Sequence, residues 1–175
     1  MSDVRIRPVV AADAGTLLHF ELAHRAYFEH WVNARDPAFY SEQGVAAAIA
    51  AAEKSREHDH AFQYLIEDAG RLVGRVNLTN VRRQHYQCAD LGYRIGEHDG
   101  GRGIASQAVA LCLAEAFGPL HLLRIEAVAR PENRGSVRVL ERNGFTQFGH
   151  SRRSFELGGR WFDRLLFERH RDPVA

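Results

Sequence analysis

Residues Gly92–Phe117 read GYRIGEHDGGRGIASQAVALCLAEAF, and this stretch decides the fold. A short apolar strand pattern ends in a glycine cluster, and the cluster opens directly into an amphipathic helix. Gly100, Gly101 and Gly103 let the backbone turn sharply and aim several N–H groups at one point. The helix that begins there adds its own unpaired donors and the positive end of its dipole, a geometry that favours a phosphate or pyrophosphate. A P-loop needs Lys followed by Ser or Thr behind its last glycine, where this chain has Ile104 and Ala105. A dinucleotide fingerprint needs a third glycine in the first strand-to-helix unit, where this chain has Ser106, in the middle of the sequence. Both are excluded.

Outward from this stretch the pattern predicts a strand at Val4–Pro8 and a helix over Asp13–Phe28, with Ala14, Leu17, Leu18, Leu22 and Ala26 at helical spacing. A loop follows over Asn33–Tyr40, then an Ala-rich helix from a cap at Ser41 to about His58. Strands at Phe62–Glu67 and Leu72–Val81 join through a turn at Asp68-Ala69-Gly70, and a further strand covers Cys88–Ile95. The Gly103–Phe117 helix stops at Gly118-Pro119 and Arg124–Ala129 returns as a strand. A short helix opens near Asn133 and closes at Gly144, a good left-handed cap. Two final strands, Thr146–Leu157 and Trp161–His170, pair across Gly158-Gly159. The order β-α-α-β-β-β-α-β-α-β-β predicts an α/β (α+β) fold: a mixed, mostly antiparallel sheet with helices on its faces, and one domain spanning residues 1–175.

Composition excludes several classes. A net charge of +1 over 175 residues points to no electrostatically driven nucleic-acid or membrane partner. No apolar run approaches the ~20 residues of a membrane span, and the N-terminus lacks a signal-peptide core. Cys88 and Cys112, the two cysteines, read as reduced, packed thiols. A cytoplasmic enzyme is therefore expected. His58 and His60 point apart on a helix end, and no metal site is expected.

A second segment, ARPENRGSVRVLERNGF at Ala129–Phe145, completes a resemblance. Together the two segments resemble the GCN5-related N-acetyltransferase (GNAT) superfamily, whose Gln/Arg-x-x-Gly-x-Gly/Ala signature reads here Gly100-Gly101-Arg102-Gly103-Ile104-Ala105. Gly100 stands where Gln or Arg is usual. Within the superfamily the chain is similar to the RimJ/RimL-like ribosomal-protein N-terminal acetyltransferases, through Leu91-Gly92-Tyr93, Asn133-x-x-Ser136, Val139-Leu140-Glu141 and Asn143-Gly144-Phe145. Arg5-Ile6-Arg7-Pro8 and the stretch from His30-Trp31 to Arg35-Asp36 extend the likeness to the N-terminal part.

The resemblance implies a twisted sheet whose central strands splay apart to admit acetyl-CoA. Backbone N–H groups of Gly101, Arg102, Gly103, Ile104, Ala105 and Ser106 then cradle the pyrophosphate. Edge groups of Tyr93 and Ile95 pair with the pantetheine amides, and the side-chain amide of Asn133 bonds the same arm. Ser136, three residues on, is implied as general acid at the thioester sulfur. No tyrosine occurs between Arg130 and Phe145, so a phenol on that helix is not available. Capping of the helix is the alternative role for Ser136.

Glu97, which matches the glutamate assigned as base in RimL-type enzymes, and Asp90 are the candidate bases. A solvated loop carboxylate and a strand-edge ion pair are their alternative readings, and His85, His98 and His121 stay open. Trp31, Arg35 and Tyr40 are expected at the acceptor site, with core packing as the alternative. The Arg152, Arg153, Trp161 and Arg164 region reads either as recognition of an acidic substrate or as a homodimer surface. The expected acceptor is a protein or peptide α-amine. Acetylation of a small-molecule amine (antibiotic, polyamine or amino acid) and a CoA-binding module without catalysis remain the alternatives.

Overall fold

The computed structural model describes residues 3–172. The elements are β1 (Val4–Pro8), α1 (Ala14–Ala23), α2 (Arg25–Glu29), α3 (Glu42–Glu57), β2 (Phe62–Asp68), β3 (Arg71–Arg82) and β4 (Cys88–Ile95), followed by α4 (Ile104–Phe117), β5 (Arg124–Ala129), α5 (Arg134–Arg142), β6 (Thr146–Leu157) and β7 (Arg160–His170). The strands form a seven-stranded sheet in the order β1-β2-β3-β4-β5-β7-β6. Every neighbouring pair is antiparallel except β4–β5, which is parallel. The mixed, mostly antiparallel sheet expected from the element order is therefore the observed one.

Side chains alternate across the sheet and divide the core in two. Tyr64, Ile66, Val76, Leu78 and Leu91 pack with Ile104, Ala108, Val109 and Cys112 of α4 and Leu140 of α5. Leu65 faces the other way, into Leu17 and Phe20 of α1, Phe28 of α2, and Val45, Ile49 and Ala52 of α3. The α3 start is as expected: the Ser41 hydroxyl accepts from the Gly44 N–H at 3.0 Å, satisfying one orphan donor of the first turn.

The first helix differs from its sequence reading. It does not run unbroken from Asp13 to Phe28 but breaks at His24 (φ −112°, ψ 9°) into α1 and α2. The buried stripe is also shifted: Leu17, Phe20 and Glu21 point inward while Leu22 is 49% exposed. Two interactions account for this. The His24 ring packs edge-on against Phe20 at 4.9 Å and lies 5.8 Å from Phe28, and its Nδ1 accepts from the Glu97 N–H at 3.3 Å. Glu21, meanwhile, is held by arginines of the sheet. One carboxylate oxygen accepts from Arg75 Nη1 at 2.8 Å and the other from Arg94 Nη1 at 3.2 Å, with Arg35 at 3.7 Å. Arg75 also donates to Gln63 Oε1 at 2.7 Å. The Asn33–Tyr40 loop holds a 3₁₀ turn at Pro37–Phe39, capped by the Asp36 carboxylate on the Ala38 N–H at 2.8 Å.

This buried cluster fastens α1 to β3 and β4. Burial lowers the pKa of Arg75, and lowers that of Arg94 to about 10, while Glu21 opposes the shift. At about 10, Arg94 remains charged at neutral pH. Removing one partner of a buried ion pair strands the others and costs on the order of 3–5 kcal/mol. Glu21→Ala is therefore expected to lower the urea midpoint by that much stability, with the unfolding slope m unchanged. A midpoint within error of the parent would show that the sheet does not depend on this carboxylate.

Candidate active site

β4 pairs with β5 only from Cys88↔Arg124 to Leu91↔Ala127. β3 continues beside β4 to Gly74↔Ile95, and β5 continues beside β7 to Ala129↔Leu165. Past Leu91 the two parallel strands therefore part. The Gly96 N–H donates to the Val73 carbonyl at 2.9 Å. By alternation Gly92 and Arg94 turn their backbone groups to β3, and Tyr93 and Ile95 present theirs to the gap. The gap widens into a cavity of about 720 Å³ that reaches both faces of the sheet.

The glycine loop closes one end. Gly101 (φ +76°) and Gly103 (φ +80°) hold left-handed conformations, and Gly103 leads straight into α4. The first turn-closing bond of α4 runs from the Gln107 N–H to the Gly103 carbonyl at 3.1 Å. The N–H groups of Ile104, Ala105 and Ser106 precede it and have no intrahelical acceptor. Gly100, Gly101 and residues 103–106 line the cavity, whereas Arg102 does not. Its guanidinium turns away to Asp68 at 2.9 Å and Asp99 at 3.1 Å. Arg71 binds Asp99 as well, at 2.6 Å, and that bond, with Arg102 beside it, holds Asp99 below the usual carboxylate range. Arg102 thus clamps the loop onto the β2–β3 hairpin by its side chain.

The opposite wall is the start of α5. Asn133 caps it: the side-chain oxygen accepts from the Ser136 N–H at 3.0 Å, which leaves the amide nitrogen for a ligand. Ser136 is therefore not the cap. Its hydroxyl meets the Tyr93 hydroxyl at 2.9 Å, and the Ser136 carbonyl, 3.2 Å from the same phenol, is a second, longer acceptor for that phenol's single proton. Burial pushes the Tyr93 phenol up to about 12. A tyrosine absent from the α5 sequence is thus delivered to it by β4. The helix ends in a Schellman arrangement, Phe145 N–H to Leu140 carbonyl at 3.1 Å and Gly144 N–H to Glu141 carbonyl at 3.0 Å, with Gly144 at φ +75°. Asn143 Nδ2 reaches the Ser106 hydroxyl at 3.2 Å and ties α5 to the first turn of α4.

Other candidates separate. Tyr93, Ile95, Gly101, Gly103, Ile104, Ala105, Ser106, Asn133, Ser136 and Trp31 all line the one cavity. Glu97 does not; it is exposed on a 3₁₀ turn and offers its backbone N–H to His24. Asp90 does not either; its carboxylate accepts from Asn80 Nδ2 at 2.7 Å and lies 3.8 Å from Arg82, the strand-edge pairing. Arg35 stacks on Phe39 at 4.4 Å beside Glu21, and Tyr40 lies under Arg25 at 4.1 Å, both behind the cavity wall. The sequence reading did not single out Phe28, Arg94 or Arg130, which line the cavity. Their signal is faint, because Arg94 is visible only as the neighbour of Tyr93 on the opposite strand face. Cys112 lies on the buried face of α4 with its thiol pushed up to about 12 by burial, and neither cysteine reaches the cavity wall.

A β-carbon at Gly103 would meet only Gln107 Nε2, at 3.9 Å, so space is available and the positive φ is what resists a side chain. Gly103→Val is expected to keep the fold by circular dichroism and to weaken CoA about tenfold or more by calorimetric titration, the scale of 1–3 kcal/mol of backbone strain. Unchanged affinity would place the phosphate elsewhere.

A family model for the acetyltransferase (GNAT) domain matches residues 3–146. The probable N-acetyltransferase YjcK of Bacillus subtilis (strain 168) is 34% identical over 165 residues, covering 93% of this chain and 91% of that protein. The crystal structure of ribosomal-protein-S5-alanine acetyltransferase from Vibrio fischeri superposes with a TM-score of 0.93 at 25% identity, covering 98% of this chain and 97% of that one. RimJ of Mycobacterium smegmatis, solved in complex with CoA-disulfide, gives a TM-score of 0.89 at 30% identity, covering 95% and 81%. With a parted strand pair, a glycine nest and these relatives, the chain belongs to the GNAT acetyltransferase family, in its RimJ/RimL-like branch, and is an N-acetyltransferase that uses acetyl-CoA.

Proposed function

We propose that the chain transfers the acetyl group directly to the α-amine of a protein or peptide N-terminus. The observation that carries this reading is that, among the described residues, the only acidic side chain on the cavity wall is Asp99, already bound by Arg71 and Arg102. A site without a free carboxylate suits an amine that ionises readily. An α-amine has a pKa near ~7.7–8.0 against ~10.4 for lysine, so a useful part of it is neutral at pH 7. The Vibrio fischeri relative, named for alanine acetylation on ribosomal protein S5, supports the same acceptor class.

Bound acetyl-CoA supplies the acyl group as an activated thioester. The N–H groups at the start of α4 hold the pyrophosphate, with Gly101 and Gly103 shaping the nest. Tyr93 and Ile95 bond the pantetheine amides through backbone, and Asn133 Nδ2 bonds the same arm. Ser136 Oγ–H donates to the leaving sulfur. Tyr93 at about 12 is a weaker acid than a thiol at ~8.5, so net proton loss from the phenol is uphill. Its part is to donate to Ser136 Oγ and so turn the serine proton towards the sulfur, which makes it a positioning residue. The amine's proton passes to water in the cavity, because Glu97 and Asp90 stand outside the lining.

Ser136→Ala is expected to lower kcat about 100-fold, the low end of general-acid effects, with little change in acetyl-CoA affinity. Tyr93→Phe is expected to lower kcat less, with KM preserved. An effect on KM alone would return both residues to structure. Peptides with a free N-terminal Ser, Ala or Thr should turn over faster than blocked peptides carrying one internal Lys. The rate should climb with pH up to about 8, the ionisation of the α-amine itself, and should do so equally in Glu97→Gln and Asp90→Asn. Equal turnover on blocked lysine peptides would overturn the acceptor assignment. Loss of the climb in either carboxylate variant would identify that residue as the base.

A further inference from the structure

We propose that the end of the cavity facing α1 and α2 is an anion subsite, which takes a carboxylate or phosphate carried by the acceptor within about two residues of its reacting amine. The proposal rests on the α-amine reading above and names the acceptor's chemistry.

The walls at this end are Phe28, Trp31, Arg94, Arg130, Phe155 and Arg164. They lie across β4 from Tyr93 and Ser136, because Arg94 and Tyr93 are strand neighbours on opposite faces. No carboxylate lines this end among the described residues. Glu21 stands behind it and is shared by Arg75, Arg94 and Arg35 at 2.8, 3.2 and 3.7 Å. Arg94 spends one nitrogen on Glu21 and lays its guanidinium over Phe28 at 4.8 Å. Arg130 is held over Phe162 at 3.7 Å and near Trp31 at 5.4 Å. Its Nη1 donates to the His30 carbonyl at 3.3 Å. Its Nε lies 3.5 Å from Glu132 at the rim without forming a hydrogen bond. Arg164 donates Nε to a neutral partner, Ser154 Oγ, at 3.1 Å. The guanidiniums of Arg35, Arg75, Arg94, Arg130 and Arg164 thus meet two carboxylates, Glu21 and Glu132. The buried Nε atoms of Arg35, Arg75 and Arg130 have no hydrogen-bond partner among the described residues.

Uncompensated cations in a half-closed apolar cavity focus positive potential. The ligand that fits is anionic, and planar guanidiniums fixed on aromatic rings present paired donors to a carboxylate or phosphate. The same field repels a polycation, which sets polyamines against the site. It also favours the neutral form of an amine brought close to it, the form that attacks a thioester. An extended chain advances about 3.4 Å per residue, so an acidic side chain at the second or third position reaches past the amine into this end.

The test uses the full chain with acetyl-CoA and four acceptors: peptides beginning Ser-Asp-Asp, Ser-Gln-Gln and Ser-Lys-Lys, and spermidine. Thiol release is read as kcat/KM. The acidic peptide is expected to exceed the neutral one by about tenfold, the scale of one charge-assisted bond, and the basic peptide and spermidine to fall below both. The gap should narrow at 0.5 M salt. In Arg94→Gln and Arg164→Gln the acidic-to-neutral ratio should move towards one, and Arg94→Lys should retain most of it. Free serine and phosphoserine, run alongside, distinguish a small acidic acceptor from an acidic peptide. Calorimetric binding of the same peptides to the CoA-saturated protein separates this proposal from the reading beneath it. Acid-selective binding without turnover of any α-amine would sink the acceptor reading and uphold the subsite. Equal binding and turnover of acidic and basic peptides, or a preference for spermidine, would overturn the subsite.

Discussion

Beyond Leu91 the backbone of β4 has a neighbour on one side only, and the functional geometry follows from that lost pairing. A buried strand edge must satisfy its N–H and C=O groups somewhere. Tyr93 and Ile95 therefore present their backbone groups to the gap, where a covered sheet would have consumed them. Because β5 keeps β7 as its own partner down to Ala129, the opening is held by paired strands on both flanks and needs no flexible lid. It also pierces the sheet, so that α4 and α5 supply one wall and α1 and α2 the other.

The glycine loop at the end of that opening depends on contacts outside it. Arg102, Asp68, Asp99 and Arg71 form a chain of ion pairs whose arginines are half or more exposed. Pairs so open to water add little to stability. Their effect is geometric: they fix the loop against the β2–β3 hairpin so that the first N–H groups of α4 converge on one place. The Asn143–Ser106 bond does the same from the α5 side. Donors fixed in advance lose less on binding than donors that must be ordered by the ligand.

The Glu21 cluster shows how a fold-stabilising feature becomes a chemical one. Burying a carboxylate is tolerable because arginines from β3 and β4 satisfy both of its oxygens, and this fastens α1 to the sheet. The arginines outnumber the carboxylate, however, and the surplus lies where α1 and α2 wall the cavity. The surplus of positive charge at that end is thus a by-product of how the first helix is anchored.

The strand–glycine–helix run at Gly92–Phe117, the Asn133–Ser136 spacing and the Gly144 stop are local features, and the chain alone determined them. Each depends on backbone freedom, capping or a donor within a few residues, so the element order, the glycine turn into α4 and the family resemblance were all legible in the sequence. Only the tertiary structure decided the rest. That Glu21 faces inward while Leu22 faces water depends on arginines more than fifty residues away, against the local apolar pattern. That Ser136 meets a phenol depends on β4 lying beside α5, although α5 itself contains no tyrosine. That Arg102 grips Asp68, and that Glu97 and Asp90 stay outside the cavity, depends on which side of a turn or strand each side chain leaves. Spacing along the chain specifies local geometry, but pairing across the sheet specifies which side chains share a cavity, and charge in that cavity is a sum over residues distant in sequence.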